Sequence, residues 1–124
     1  MKVFIVGAGP GDPELISVKA QKLLSEADII IYAGSLVNPA LLDYAKEGCE
    51  IHNSASMTLP QVIEVIKNGV AQDKMVVRLH TGDPSIYGAI QEQMDALDKL
   101  GIEYKVVPGV SSFLATAAAL KQEY

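Results

Sequence analysis

The sequence predicts an α/β fold: a five-stranded parallel sheet with helices on both faces. Three observations point there. Apolar runs of strand length alternate with stretches of helical spacing along all 124 residues, the pattern of strand–helix–strand units joined by right-handed crossovers. The run Ile29-Ile30-Ile31 is apolar without alternation, as strands covered on both faces are. Glycine- and proline-stiffened loops follow the strands, and an open parallel sheet binds its ligands outside those strand ends.

The elements follow in order. Lys2 to Val6 is the first strand, bounded by Gly7. Asp12 is placed to cap the next helix, with Pro13 at its first position, where a missing N–H costs nothing. Leu15, Val18, Leu23 and Leu24 carry that helix to about Ala27. Asp28 to Tyr32 is the second strand, Pro39 to Lys46 a helix stopped at Gly48, and Cys49 to His52 a short third strand. Thr58 caps a helix from Leu59 to Asn68 that Gly69 ends, with Val62, Ile63, Val65 and Ile66 on its buried side. Lys74 to Leu79 is the fourth strand. The longest helix is expected from Ser85 to Leu100, closed by Gly101. Ile102 to Val107 is the fifth strand, Pro108-Gly109 a turn, and a last helix starts at Ser111-Ser112 and runs to Lys121.

Bulk properties narrow the function. A hydrophobic content of 49% with 20% charged residues describes a globular domain rather than a disordered chain. No apolar run approaches the roughly 20 residues that cross a bilayer, and no secretory leader is visible. The lone cysteine, Cys49, excludes an internal disulfide framework and fits a cytoplasmic location. It reads as a small strand-entry residue. The net charge is −5 and Arg78 is the only arginine. A phosphate-tracking protein carries a basic patch, so neither nucleic acid nor a membrane surface is an expected partner. No metal site is expected. The chain ends abruptly after its last helix, at Gln122-Glu123-Tyr124, as one half of something longer would.

Two loops carry most of the chemistry: Gly7-Ala8-Gly9-Pro10-Gly11-Asp12-Pro13 and His80-Thr81-Gly82-Asp83-Pro84-Ser85-Ile86-Tyr87-Gly88. A dinucleotide fingerprint needs Gly-x-Gly-x-x-Gly and an acid ending the second strand. Here Asp12 takes the third glycine's place and Tyr32-Ala33-Gly34 ends the strand. A carboxylate at the helix start also repels a pyrophosphate. No Gly-x-x-x-x-Gly-Lys phosphate loop exists, and the acidic pair of a receiver domain is absent. Each loop has Gly-Asp-Pro at a helix mouth, and Pro108-Gly109-Val110-Ser111-Ser112 lies in the corresponding place after the fifth strand. One such loop is as readily a simple turn. Three that open on a shared edge suit a polar, non-phosphate ligand such as an amino acid or a nucleoside.

Val6 to Pro13, Thr81-Gly82-Asp83-Pro84 and Val107 to Ser112, in this order and spacing, resemble the tetrapyrrole methylases. These are S-adenosylmethionine-dependent enzymes of cobalamin and sirohaem synthesis, with relatives acting on diphthamide and ribosomal RNA. Tyr32 to Val37 and Arg78 to Met94 resemble the branch that methylates C-11 of precorrin-4 or cobalt-precorrin-4. The uroporphyrinogen branch usually has Gly-Gly-Asp-Pro and a phenylalanine where this chain has Thr81-Gly82-Asp83-Pro84 and Tyr87.

The resemblance implies the first of two α/β domains, a methyl donor held in the cleft between them, a corrinoid substrate and a homodimer. The chain alone is then expected to be inactive. By the same resemblance, Pro10, Thr81, Gly82, Asp83, Ile86, Tyr87, Ser111 and Ser112 would hold the donor. Gly9, Gly11, Asp12 and Arg78 would face the macrocycle, and Asp12 and His80 are the catalytic candidates. Plainer readings stand beside these: Asp12 as a helix cap, Arg78 as a buried structural contact, His80 as a satisfied structural histidine. The rivals are a methylase with another acceptor, a dinucleotide-binding domain, and a non-catalytic interaction module.

Overall fold

The computed structural model describes residues 2–86 and 90–124. Its strands are β1 (Val3–Gly7), β2 (Ile29–Tyr32), β3 (Glu50–Asn53), β4 (Val76–His80) and β5 (Tyr104–Val107). They form one sheet in the order β3-β2-β4-β1-β5, and every pairing is parallel. This is the expected α/β architecture.

Connections running towards β3 place α1 (Val18–Glu26) and the 3-10 segment Pro39–Tyr44 on one face. Those running towards β5 place α2 (Leu59–Ala71) and α3 (Gln91–Lys99) on the other. A constant right-handed crossover requires that division. Leu23, Leu24 and Leu41 accordingly pack with Val6, Ile30 and Val77, while Val62, Ile66 and Leu97 pack with Val3, Ile29 and Ile31. Successive residues of β2 thus serve opposite cores, because side chains alternate along a strand. Both faces being covered is why that strand shows no polar alternation.

Several boundaries differ from the sequence expectation. Asp12 caps only a 3-10 turn, Pro13–Leu15; the chain is extended at Ile16, and Ser17 caps α1 afresh by accepting from Ala20 N at 3.1 Å. The segment from Pro39 is a 3-10 helix that stops at Tyr44. α2 runs through Gly69 to Ala71, and the left-handed residue closing it is Asp73, with φ of 57°. Gly69 serves packing instead. A Cβ there would come within 2.8 Å of Ile29 Cδ1 and 2.9 Å of Val76 Cγ2, so its absence lets the helix sit close on the sheet.

α2, with 13 residues, is longer than α3, with 9, reversing the expected order. α3 starts at Gln91 rather than Ser85 because Asp83 holds a turn: its Oδ1 accepts from Ser85 N at 2.8 Å and its carbonyl from Ile86 N at 3.1 Å. Two features hold as expected. Thr58 caps α2, its hydroxyl accepting from Gln61 N, and the Gln61 side chain adds the reciprocal bond to Thr58 N; Gly101, with φ of 67°, closes α3. The last helix, α4, spans Ser112–Ala119 with Ser111 as its cap.

β1 and β4 are neighbours whose following connections leave in opposite directions. Such a switch point opens a crevice at the carboxyl edge of a parallel sheet. The register sets Gly7 beside His80 and Val6 beside Val107, so the loops after β1, β4 and β5 emerge together.

Candidate active site

The three loops meet backbone to backbone. Gly9 N donates to Gly82 O at 3.2 Å and Gly82 N donates to Gly9 O at 2.7 Å, an antiparallel bridge outside the parallel ladder. Ala8 N donates to His80 O at 2.6 Å. A Cβ at Gly7 would lie 2.6 Å from Gly82 O and 2.7 Å from Gly109 N. Such separations are not available to real side chains, so glycine at Gly7 is a packing requirement. Asp83 Oδ2 accepts from Gly109 N at 3.0 Å, fastening the β4 loop to the β5 loop. Asn38 Nδ2 donates to Gly11 O at 2.7 Å and anchors the β1 loop from the other side.

Beside this junction lies a cavity of about 920 Å³, within the range of small-molecule sites. Thr81, Gly82, Asp83 and Ile86 supply one wall, and Ser111, Ser112, Phe113 and Thr116 another. Ala33 and Leu36 close the side beyond β2. The buried polar residues that line it are Arg78, His80, Gln93 and Ser111. Arg78 and His80 lie two residues apart on β4 and therefore share the face that α3 covers.

Arg78 Nε donates to Gln93 Oε1 at 3.0 Å and its Nη1 to Ile31 O at 3.2 Å. None of the ion pairs among the described residues involves Arg78. Burial alone brings its pKa down to about 10, so it stays cationic at neutral pH. Gln93 Nε2 lies 3.2 Å from His80 Nε2. Burial first, and the neighbouring Arg78 charge second, take the His80 ring down to about 4. The Gln93 contact would favour a protonated ring only with the amide oxygen turned to His80, and Arg78 already occupies that oxygen. His80 is therefore neutral at pH 7.

Of the residues singled out from sequence, Arg78, His80, Thr81, Gly82, Asp83, Ile86, Ser111 and Ser112 all line this one cavity. Gly9, Pro10, Gly11 and Asp12 do not; they form the adjacent β1 loop. Asp12 is exposed, and its Oδ1 accepts from Glu14 N at 2.9 Å, the capping role. Tyr87 lies outside the described residues. Gln93, Thr116 and Phe113 were missed. Gln93 was findable, because it precedes the buried Leu97 by one helical turn and a buried arginine requires acceptors. Among the described residues no three His, Cys, Asp or Glu side chains are grouped as metal ligands, and no helix is long and apolar enough to cross a membrane.

Comparison with known proteins supplies the context. The chain is 62% identical over 122 residues to the cobalt-precorrin-4 C(11)-methyltransferase of Methanocaldococcus jannaschii, covering 98% of this chain and 47% of that protein. The solved structure of a cobalt precorrin-4 methyltransferase superposes with a TM-score of 0.95 at 48% identity, over 98% of this chain and 51% of that one. The uroporphyrin-III C-methyl transferase of Thermus thermophilus, complexed with S-adenyl homocysteine, superposes at 0.79 with 37% identity, over 94% and 48%. The chain spans about half the length of the curated relatives it matches. The profile of the Tetrapyrrole (Corrin/Porphyrin) Methylases matches residues 2–124. With the three glycine-bearing loops joined at one sheet edge and the profile matched almost end to end, the chain belongs to the tetrapyrrole methylase family.

Proposed function

We propose that this chain is the N-terminal half of an S-adenosylmethionine-dependent C-methyltransferase of corrin biosynthesis, acting at C-11 of precorrin-4 or cobalt-precorrin-4. The observation that carries the reading is convergence: the Thr81-Gly82-Asp83 turn and the Ser111-Ser112 helix start line a single cavity. The identity to a C(11)-methyltransferase, with Thr81 and Tyr87 where the uroporphyrinogen branch differs, supports the acceptor assignment.

The residues present suit such a donor. Glycine backbone at Gly7 and Gly82 leaves no side chain between the loops. Polar groups of Asp83 and Ser111 stand near the apolar surfaces of Ala33, Leu36 and Phe113, matching a ligand with an amino-acid end and a nucleoside end. When bound, the donor supplies a methyl group on a sulfonium, transferred in line to a nucleophilic carbon. The chain's part is to orient it. Near-attack positioning is worth about 7–11 kcal/mol in favourable model reactions.

In this reading the Thr81-Gly82-Asp83 turn, flanked by Ile86 and Tyr87, holds the methionine part of the donor. Ser111 and Ser112 lie beside it, and Pro10 forms part of the cleft floor. Gly9, Gly11 and Asp12 face the macrocycle. Arg78 is assigned to a ligand carboxylate, a geometry its guanidinium suits. His80, neutral and touching Gln93, acts as a hydrogen-bonding wall rather than as a base. The active protein is a cytoplasmic homodimer, with no nucleic-acid or membrane partner invoked.

The test is calorimetric titration of S-adenosylhomocysteine into this chain and into a protein carrying both halves, followed by methyl-transfer assays with cobalt-precorrin-4. Binding and transfer by the longer protein, with weak or no binding by the half, are expected. No heat from either protein would sink the donor assignment. Transfer to uroporphyrinogen instead would overturn the acceptor alone.

A further inference from the structure

We propose that Gln93 is a positioning residue that fixes the His80 ring with its Nε2 lone pair turned towards α3 and its proton on Nδ1. A guanidinium only donates, so the 3.0 Å contact from Arg78 Nε must meet the oxygen of the Gln93 amide. That choice turns the amide NH2 to His80 Nε2, 3.2 Å away. An amide nitrogen only donates, so Nε2 must accept. A neutral imidazole that accepts at Nε2 carries its proton on Nδ1. Protonating the ring would set N–H against N–H inside a buried contact.

The three side chains form one chain of fixed polarity, from Arg78 through Gln93 to His80, with exposures of 7%, 6% and 6%. Nothing else described competes for control of the ring. Arg78 is the charged group beside it on β4. Among the described lining residues Asp83 carries the one carboxylate side chain, and its oxygens accept from Ser85 N and Gly109 N. On α3 the group in contact is Gln93 itself, which is uncharged. The cavity therefore offers its ligand one fixed positive charge, Arg78, and one uncharged ring. A cationic ligand would meet one like charge there and not two. The assignment of the tautomer holds whatever molecule fills the cavity.

The test is long-range proton–nitrogen correlation spectroscopy of the 15N-labelled chain across about pH 5 to 8, bracketing an ordinary imidazole titration. The His52→Gln variant identifies the His80 signals. The expected result at neutral pH is a bare Nε2 and a protonated Nδ1, with no titration above about pH 5. A ring protonated on Nε2, or a midpoint near the ordinary value of about 6.5, overturns the proposal. Two variants separate positioning from mere packing. Gln93→Glu places a carboxylate where it accepts from both Arg78 and His80, so the ring should become charged and titrate above about 6.5. Gln93→Leu removes both contacts, so the Nδ1-protonated form should lose its exclusivity while the backbone amide spectrum keeps its dispersion. An unchanged tautomer in Gln93→Leu would show that Gln93 does not set it. Should that variant fail to fold, the wild-type tautomer and the Gln93→Glu titration still decide.

Discussion

Gly9 and Gly82 exchange two backbone hydrogen bonds, of 3.2 and 2.7 Å, in an antiparallel bridge at the edge of a sheet whose every ladder is parallel. Gly9 has φ of 80° and Gly82 of 60°, conformations in which glycine is at ease and other residues are strained. The loops after β1 and β4 are therefore one rigid unit made of backbone. Side chains added at this junction should act on the site and the fold together.

Gly109→Ala tests that junction most directly. A Cβ on Gly109 would run into the Gly82 carbonyl and lie 2.9 Å from Gly7 Cα. Those atoms are backbone and cannot rotate away, so the loops must part. Overpacking of this kind costs about 1–3 kcal/mol. The expected outcome is an unfolding free energy, measured in urea, lowered by that amount, with S-adenosylhomocysteine affinity lost in a protein carrying both halves. A stable variant with unchanged affinity would show that the loops close independently.

Asp83 joins two loops with two oxygens, accepting from Ser85 N at 2.8 Å and Gly109 N at 3.0 Å. Asp83→Ala leaves both amides without that acceptor, and losing a charged acceptor costs about 1.5–3 kcal/mol. Asp83→Asn keeps one oxygen and should recover part of the loss. The measurement is thermal melting of the three proteins. Equal melting of Asp83→Ala and the wild type would reduce Asp83 to a ligand contact with no bracing role.

The fold was legible because its signals are local. Ile29 to Ile31 announced a strand covered on both faces, and Thr58 announced a capped helix. The third dimension was not legible in the same way. Gly69 looks like a helix stop in sequence, but its role depends on Ile29 and Val76, distant residues on two other strands. Asp83-Pro84 looks like a helix entrance, and its side chain holds a turn instead. Half of the site was readable as motifs. Gln93 lies in none of the loop motifs; only its spacing from Leu97 on α3 pointed inward, and its partners Arg78 and His80 come to it through the β4–α3 packing.

Gly69→Ala separates helix propensity from packing. Alanine inside an exposed helix gains about 1 kcal/mol over glycine. Here the new methyl meets Ile29 Cδ1 at 2.8 Å and Val76 Cγ2 at 2.9 Å. The isoleucine tip can turn aside, whereas the β-branched valine is stiff. Net destabilisation by about 1 kcal/mol is expected, as overpacking outweighs the propensity gain. Pairing it with Val76→Ala should cost less than the two single changes summed. Simple additivity in chemical melts would assign the loss elsewhere.

Protonation gives the sharpest thermodynamic prediction. Burial, then the Arg78 charge, hold His80 at about 4 in the folded chain, while an unfolded histidine titrates near about 6.5. Between those values the unfolded chain binds a proton that the folded chain refuses. Stability is then complete above about pH 6.5 and falls as the pH drops towards 4. The loss attributable to this one ring is about 2 kcal/mol by pH 5, at 1.36 kcal/mol for each pH unit of difference. His80→Gln abolishes that slope, and His52 is common to both proteins. Urea unfolding at pH 7.5 and about pH 5 should therefore show the wild type losing about 2 kcal/mol more than the variant. Parallel losses in the two proteins would place the His80 ring near its ordinary value in the folded state, and the neutral cavity wall argued above would fall with it.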